Sequence, residues 1–303
     1  MTIKNVYTPH ILCADIGGSH ITAAVCDCKT NVISEQSSLR ANVNSKGDAI
    51  NILNAWNDAL ERVLDQSPVH VSGMALAMPG PFDYERGISL IKGLDKYESL
   101  YGTDIRKYFS NALQIPESRI KFRNDAEATV AGECITGAGK GEDNVIGITL
   151  GTGFGSAHFA EGEFRDLNLG SLPFKETIAD DYLSTRGIIR RYYELSGKSA
   201  NNVKELAAIA DRDDAVVQVF EDFAENLGNF LRPHLLKLAP DRLILCGNIA
   251  KAAGLFLTSL TDRLPHIKIE LAQLGEHAAL IGAANLFNTV DKTLITFKKV
   301  KKS

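Results

Sequence analysis

Aromatic residues are scarce, at 7% of 303 positions, and Trp56 is the only tryptophan. No apolar run is long enough to span a bilayer, and Met1–His10 lacks the apolar stretch of a secretory leader. A soluble, cytoplasmic protein is expected. Lys and Arg number 33 against 37 Asp and Glu, a net charge of −4 with both signs scattered, so no basic stripe invites nucleic acid. The short basic tail, Lys298-Lys299-Val300-Lys301-Lys302, reads as a solvated terminus. Five cysteines are present, yet Cys26-x-Cys28 has no second Cys/His pair nearby, and Cys13, Cys134 and Cys246 stand singly in apolar runs. Buried, reduced thiols are expected, with no disulfide and no zinc site. The seven histidines show no metal-ligand spacing.

Two phosphate-binding patterns are also missing. There is no Gly-x-x-x-x-Gly-Lys-[Ser/Thr] segment. Gly151-Thr152-Gly153-Phe154-Gly155 fails as a dinucleotide fingerprint because a strand-like stretch, Ser156–Phe159, follows where a helix is required. What remains is a glycine-rich hairpin, and the chain has two. Cys13-Ala14-Asp15-Ile16-Gly17-Gly18-Ser19-His20-Ile21 and Ile148-Thr149-Leu150-Gly151-Thr152-Gly153-Phe154 each run an apolar strand into a small-residue turn and back. Such a turn lets backbone amides converge on a phosphate with no side chain in the way. One per half predicts a duplicated, two-lobed α/β fold holding one nucleotide from both sides.

The remaining pattern is mixed. In the first lobe, strands are expected at Ile11–Ile16, Ile21–Asp27, Val69–Met78 and Ile120–Phe122. Helices are expected at Asp48–Gln66, with Ile50, Leu53, Ala59, Leu60, Val63 and Leu64 on its apolar face, at Ile105–Leu113, and from Asn124-Asp125 to Thr136. Pro79-Gly80-Pro81 forces a loop where a strand leaves the sheet. The second lobe shows strands at Val145–Leu150, Ser156–Ala160 and Leu243–Leu245, the last ending at Gly247. Its helices are expected at Ala179–Ser196, Val203–Ala210, Asp213–Leu238 with a kink at Pro233, and Glu276–Phe287. The lobes are expected to divide at residues 123/124, with the tail after about 290 returning to the first. Ligands in α/β layers bind at strand ends, here in a cleft between lobes.

Two carboxylates bear on chemistry. Asp15 stands just before Gly17-Gly18-Ser19, where it would repel a phosphate unless a cation intervened; Mg²⁺ held through water fits that need. The plainer reading is an Asp that satisfies turn amides. Asn124-Asp125 closes a strand and opens a helix, so either residue is an ordinary N-cap, with Glu127 favouring the helix dipole. The same position suits a base that takes a proton from a substrate hydroxyl during phosphoryl transfer.

Taken in order, ADIGGSHITAAV, ALAMPGPFD, FRNDAEATVAGE, ITLGTGFGSA, LILCGNIA and LGEHAALIGAA are collinear from Ile11 to Ala284. This set resembles the ROK (repressor, open reading frame, kinase) family of sugar kinases, of the actin/hexokinase-like, ribonuclease-H-like fold. The resemblance implies an ATP- and Mg²⁺-dependent kinase acting on a hexose or amino-sugar hydroxyl, working as a homodimer. It makes Asp125 the base. Phosphate contacts fall to Asp15, Gly17, Gly18, Ser19, Gly151, Thr152, Gly153 and Gly247. Sugar contacts fall to Gly80 and Asn124. Ser19 replaces the family's usual Thr and keeps the hydroxyl.

The departures lie in the sugar pocket. Family members carry Gly-Glu-x-Gly-His, a Cys/His-rich zinc loop and a further Glu. Aligned on Gly170, this chain presents Asn168 for that Glu, Ser171 for the His and Asp180 for the later Glu, and it lacks the zinc cysteines. Loss of the loop is similar to the polyphosphate/ATP glucokinase branch, which leaves the phosphoryl donor open. An amide donates and accepts where a carboxylate only accepts, so glucose is expected to be a poor substrate. A sugar- or nucleotide-binding regulator of the same fold is the alternative. With Asp15 so near the start, no DNA-binding helix-turn-helix is expected before it.

Overall fold

Gly73–Met78 is buried at every position, the pattern of a strand covered on both faces. In the computed structural model, which describes residues 10–94 and 96–288, this strand lies inside the first of two five-stranded sheets. The chain forms two compact units, one of residues up to Ala128 together with the chain from Ala279, the other Thr129–Ala278. The division falls within a helix, five residues beyond the expected 123/124, and the return begins at Ala279 rather than near 290. The expected tail beyond 290 lies outside the described residues.

In the first unit, β1 (His10–Ile16), β2 (His20–Asp27), β3 (Val32–Asn42), β4 (Gly73–Met78) and β5 (Ile120–Asn124) pair in the order β3-β2-β1-β4-β5. The β1–β2 and β2–β3 pairs are antiparallel, while β4 and β5 run parallel to β1. Helix α1 (Ala49–Gln66) packs on β1–β3 with Ile52, Leu53, Trp56, Ala59, Leu60 and Val63 inward. Ile50, expected on that face, is 71% exposed, and Ile52 takes the inward position. Asp48 caps α1 by accepting from Asn51 N at 2.8 Å. Helix α2 (Ile105–Leu113) buries Ile105 and Phe109, and α3 (Asp125–Thr136) leaves the end of β5. The returning chain is tied to β5: Arg123 Nη1 donates to Gly282 O at 2.8 Å and Lys121 Nζ to Leu286 O at 2.6 Å.

The second unit repeats the plan. β6 (Asn144–Leu150), β7 (Phe154–Ala160), β8 (Glu163–Asp166), β9 (Arg242–Cys246) and β10 (Lys268–Leu271) pair in the order β8-β7-β6-β9-β10. Directions match the first sheet, with antiparallel β6–β7–β8 and parallel β6–β9–β10. In both units the glycine turn joins the first two strands. The predicted duplication is therefore present in the topology itself.

Helices of the second unit are α4 (Ala179–Leu183), α5 (Thr185–Ser196), α6 (Val203–Ala207), α7 (Asp214–Leu238), α8 (Leu257–Arg263) and α9 (His277–Ala284), whose last residues belong with the first unit. The helix expected over Ala179–Ser196 is broken at Ser184, which is extended (φ −108°, ψ 176°). α7 buries the expected stripe of Val216, Phe220, Phe223, Leu227, Phe230 and Leu231, and continues across Pro233 to Leu238. Two expected helices end early: α6 stops at Ala207, and α9 gives way to a 3₁₀ turn at Asn285–Phe287.

Glu133 of α3 is fully buried without a basic partner among its described contacts. Its carboxylate accepts instead from Ala138 N at 2.9 Å, Gln273 N at 3.0 and 3.1 Å, and Leu274 N at 2.9 Å. It closes the turn after α3 and pins the loop that follows β10. The cysteines are free thiols, all buried except the half-buried Cys134. Contact with Cys13, then burial, raises the Cys26 thiol, and burial, with the charge of Glu133 adding to it, raises Cys134 to about 12, so both stay protonated and inert.

Candidate active site

Parallel strands deliver their residues to one edge. In the first unit Asp15 pairs with Ala77 in the β1–β4 register, and Met78 pairs with Asn124 in the β4–β5 register. Asp15, the loop holding Gly80, and Asn124-Asp125 therefore leave the carboxyl ends of three adjacent parallel strands, where open α/β sheets bind ligands. Tyr84 links two of them. Asn124 Nδ2 donates to the Tyr84 hydroxyl at 3.1 Å, and that hydroxyl donates to Met78 O at 3.1 Å. A Cβ on Gly80 would stand 3.4 Å from the Tyr84 hydroxyl and 3.9 Å from Asn124 Nδ2, so the bare residue keeps this edge open.

Asn124 is the cap of α3, its Oδ1 accepting from Glu127 N at 3.1 Å. Asp125 thus stands in the first turn, with Oδ1 accepting from Ala126 N at 2.8 Å. Glu127 pairs with Arg123 at 2.9 Å. Capping and a candidate base are divided between two neighbouring residues.

The turn Gly17-Gly18-Ser19 is held by its backbone and by a distant tyrosine. Gly17 N donates to His20 O at 2.9 Å, Val43 N donates to Ser19 O at 2.8 Å, and the Tyr97 hydroxyl donates to Gly17 O at 2.6 Å. A Cβ on Gly17 would lie 2.6 Å from the His20 ring, whereas one on Gly18 would meet nothing within 4 Å. Gly17 is therefore fixed by packing, and Gly18 and Ser19 are exposed at the tip. Burial, with the charge of Asp15 adding to it, pushes the Tyr97 hydroxyl up to about 12, so it remains a donor.

Burial first, then the charge of Asp125, pushes the Asp15 carboxyl up to about 7, against a downward pull from Arg40. Because the folded-state value lies above the unfolded one, this group's stabilisation is complete below about 4 and is lost as pH rises to about 7. In divalent-free buffer Asp15→Asn is expected to be more stable than wild type at pH 8, with the gap closing towards pH 4. The gap should be on the order of 2 kcal/mol, less than the full shift implies because the residue is partly open to water. Melting both proteins in chelator across this range checks it; equal profiles would show that Asp15 carries no buried charge.

In the second unit, Gly247 follows β9 with φ +89°, and a Cβ there would collide with Leu150 O. Only glycine fits, which places the end of β9 against the turn Gly151-Thr152-Gly153. Thr185 N donates to Gly151 O at 2.8 Å, and Phe154 N donates to Asp180 Oδ1 at 2.5 Å. Asp180, expected as a sugar contact, has its second oxygen accepting from Arg186 Nη2 at 2.6 Å. Asn168 takes a left-handed conformation (φ 47°), and its Oδ1 accepts from the Ser171 hydroxyl at 2.9 Å. The two residues expected in place of Glu and His are thus bonded to each other. Leu169 N donates to the buried Ser156 hydroxyl at 2.9 Å, which seats this segment on β7. Among the described residues no group of three or more His, Cys, Asp or Glu could hold a metal ion.

Each expected site residue thus falls in one of two sets. Asp15, Gly17, Gly18, Ser19, Gly80, Asn124 and Asp125 belong to the first unit; Gly151, Thr152, Gly153, Asn168, Ser171, Asp180 and Gly247 belong to the second. The ROK family model matches residues 11–170 and 175–290. The chain belongs to the ROK family. The four residues between the matched stretches begin at Ser171, where the sequence departs from the family pattern. Among ROK relatives, the N-acetyl-D-glucosamine kinase of Histophilus somni (strain 129Pt) is 24% identical, spanning 91% of this chain and 98% of its own. N-acetylgalactosamine kinase AgaK of Shewanella sp. (strain ANA-3) is 24% identical over 61% of this chain and 70% of its own. A ROK family glucokinase from Streptomyces griseus, solved in complex with glucose and AMPPNP, has a TM-score of 0.76 at 23% identity, covering 91% of this chain and 98% of its own. That likeness shows the actin/hexokinase-like fold.

Tyr84, Tyr97 and Arg186, which bond to these segments, were not legible in the sequence. Tyr84 lies close behind Pro79-Gly80-Pro81, a usable hint. Tyr97 is 80 residues from the carbonyl it holds, and no sequence period marks it.

Proposed function

We propose that this ROK protein is an ATP- and Mg²⁺-dependent sugar kinase whose acceptor is a hexose or amino-sugar hydroxyl. The carrying observation is the set at the strand ends of the first unit. There Asp125 opens α3 beside the Tyr84-bound Asn124, and its charge is felt by Asp15 at the mouth of a glycine turn. A kinase relative spanning 91% of the chain supports the same reading. Asp125 takes the proton from the acceptor hydroxyl as its oxygen bonds to the γ-phosphorus, the bond from phosphorus to the bridging oxygen breaks, and ADP leaves. Asn124 and the open edge at Gly80 position the acceptor. The Gly17–Ser19 turn of the first unit and the Gly151–Gly153 turn of the second, with Gly247, each offer backbone amides to donor phosphates.

Two carboxylates that raise one another's cost of ionisation fit a hydrated divalent cation, with Asp15 reaching it through water. When bound, Mg²⁺ supplies neutralisation of the phosphate charge. The Asn168–Ser171 bond favours a second reading, a sugar sensor with weak chemistry.

A coupled ADP-release screen across hexoses, N-acetylhexosamines and small polyols separates the two. Turnover of at least one sugar is expected, with kcat/KM for glucose below about 10⁴ M⁻¹s⁻¹, an ordinary enzyme's efficiency. Sugar binding without ADP release would leave the sensor.

A further inference from the structure

One cation stands beside the second glycine turn with a role that fold and topology do not require. Arg186 lies in the first turn of α5, its side chain 61% exposed, and its Nη2 pairs with Asp180 Oδ2 at 2.6 Å and Asp181 Oδ1 at 3.1 Å. Asp180 is also the residue that holds the turn: its Oδ1 accepts from Phe154 N and would lie 3.2 Å from a Cβ on Gly153. The guanidinium is therefore one carboxylate away from the exposed tip at Thr152 and Gly153. The corner that carries it is fixed to the same turn, because Ser184 breaks the helix and Thr185 N donates to Gly151 O at 2.8 Å.

Resting on the kinase reading, we propose that Arg186 is a donor-binding residue that leaves its aspartates to pair with a phosphate of the oligophosphate held at Gly151–Gly153. Exposed ion pairs contribute little, so exchanging Asp181 and one oxygen of Asp180 for phosphate oxygens costs little. A guanidinium matches phosphate in bidentate fashion and keeps its charge at any working pH. Asp180 stays on Phe154 N throughout, so the turn keeps its shape while the cation moves. Asp180 and Asp181 hold Arg186 in reserve and keep this surface from attracting anions unselectively. The contact reads phosphate, not adenosine. ATP and inorganic polyphosphate share that chemistry.

Titrations of the full chain with ATP, ADP and inorganic tripolyphosphate, by calorimetry, test this beside steady-state kinetics. Arg186→Ala is expected to weaken ATP and tripolyphosphate binding at least tenfold and to raise KM for ATP to match, with KM for the sugar within about twofold. Arg186→Lys should recover part of the loss, since it restores charge without the fork. Asp181→Asn should tighten ATP, because it removes one competitor for the guanidinium. A loss confined to ATP would show that Arg186 reads the nucleoside and would overturn the phosphate assignment. If Arg186→Ala binds ATP within twofold of wild type, the inference fails alone. If wild type binds neither ATP nor tripolyphosphate, the kinase reading fails and takes the inference with it. Circular dichroism of each variant confirms folding before affinities are compared.

Discussion

Asp125→Asn is expected to lower kcat by about 10²–10⁴-fold on the best sugar while KM for that sugar changes far less. A base acts in the transition state, so its loss appears in turnover and not in ground-state binding. Asparagine keeps an oxygen for the Ala126 N–H, and the cap itself belongs to Asn124, so the start of α3 should survive. That division makes the test clean: the melting temperature should stay within a few degrees of wild type. Near-normal turnover would remove Asp125 from the chemistry and return it to the role of a first-turn carboxylate.

Glu133→Ala is expected to produce the largest loss of stability of any single change considered. Three backbone N–H groups from two separate loops converge on this buried carboxylate. Each left without an acceptor costs about 1–3 kcal/mol, so the total should reach at least about 3 kcal/mol. For a unit of 150 residues that corresponds to a fall of roughly 6–12 °C in Tm. Glu133→Gln keeps one oxygen and should lose about half as much. Calorimetric scans of the three proteins decide it; a Tm for the alanine variant within 2 °C, roughly what 1 kcal/mol would move, would mean that water replaces the carboxylate at almost no cost.

What the sequence disclosed, and what it withheld, divides along physical lines. Both glycine turns were visible because each is flanked by apolar runs that bury almost completely in β1, β2 and β6. β4, buried at every position, was visible at its core, though predicted to start four residues early. Of the outer strands only β5 was, over Ile120–Phe122. β3 reads VISEQSSLRAN with two of eleven positions buried, and β8 and β10 are four residues each with none. An edge strand packs on one side at most and is short or polar, so the alternation that announces a half-buried strand is faint.

Long-range bonds explain the other departures. A helical pattern runs through Ala179–Ser196, yet Ser184 is extended, because the N–H of Thr185 is directed to Gly151 O. No local propensity encodes that exchange. The acidic role expected of Asp180 was tied to a sugar. Its neighbours in space, Phe154 N and Arg186, emerge only once the corner has folded against the turn. The start of α3 shows the opposite case: a strand end followed by an N-cap signal placed it at Asn124-Asp125, and the Glu127 N–H donates to the Asn124 cap oxygen.

The single tryptophan carries one more consequence. Trp56 is fully buried in α1 with its ring centroid 5.2 Å from that of Tyr97, and the Tyr97 hydroxyl grips the carbonyl of Gly17. The only indole in the chain is therefore two contacts away from the first glycine turn, and no other tryptophan dilutes its signal. On the kinase reading this makes Trp56 an optical gauge. Emission from Trp56 should follow the arrival of a phosphoryl donor without any label, and rapid mixing would time that arrival separately from the turnover that follows.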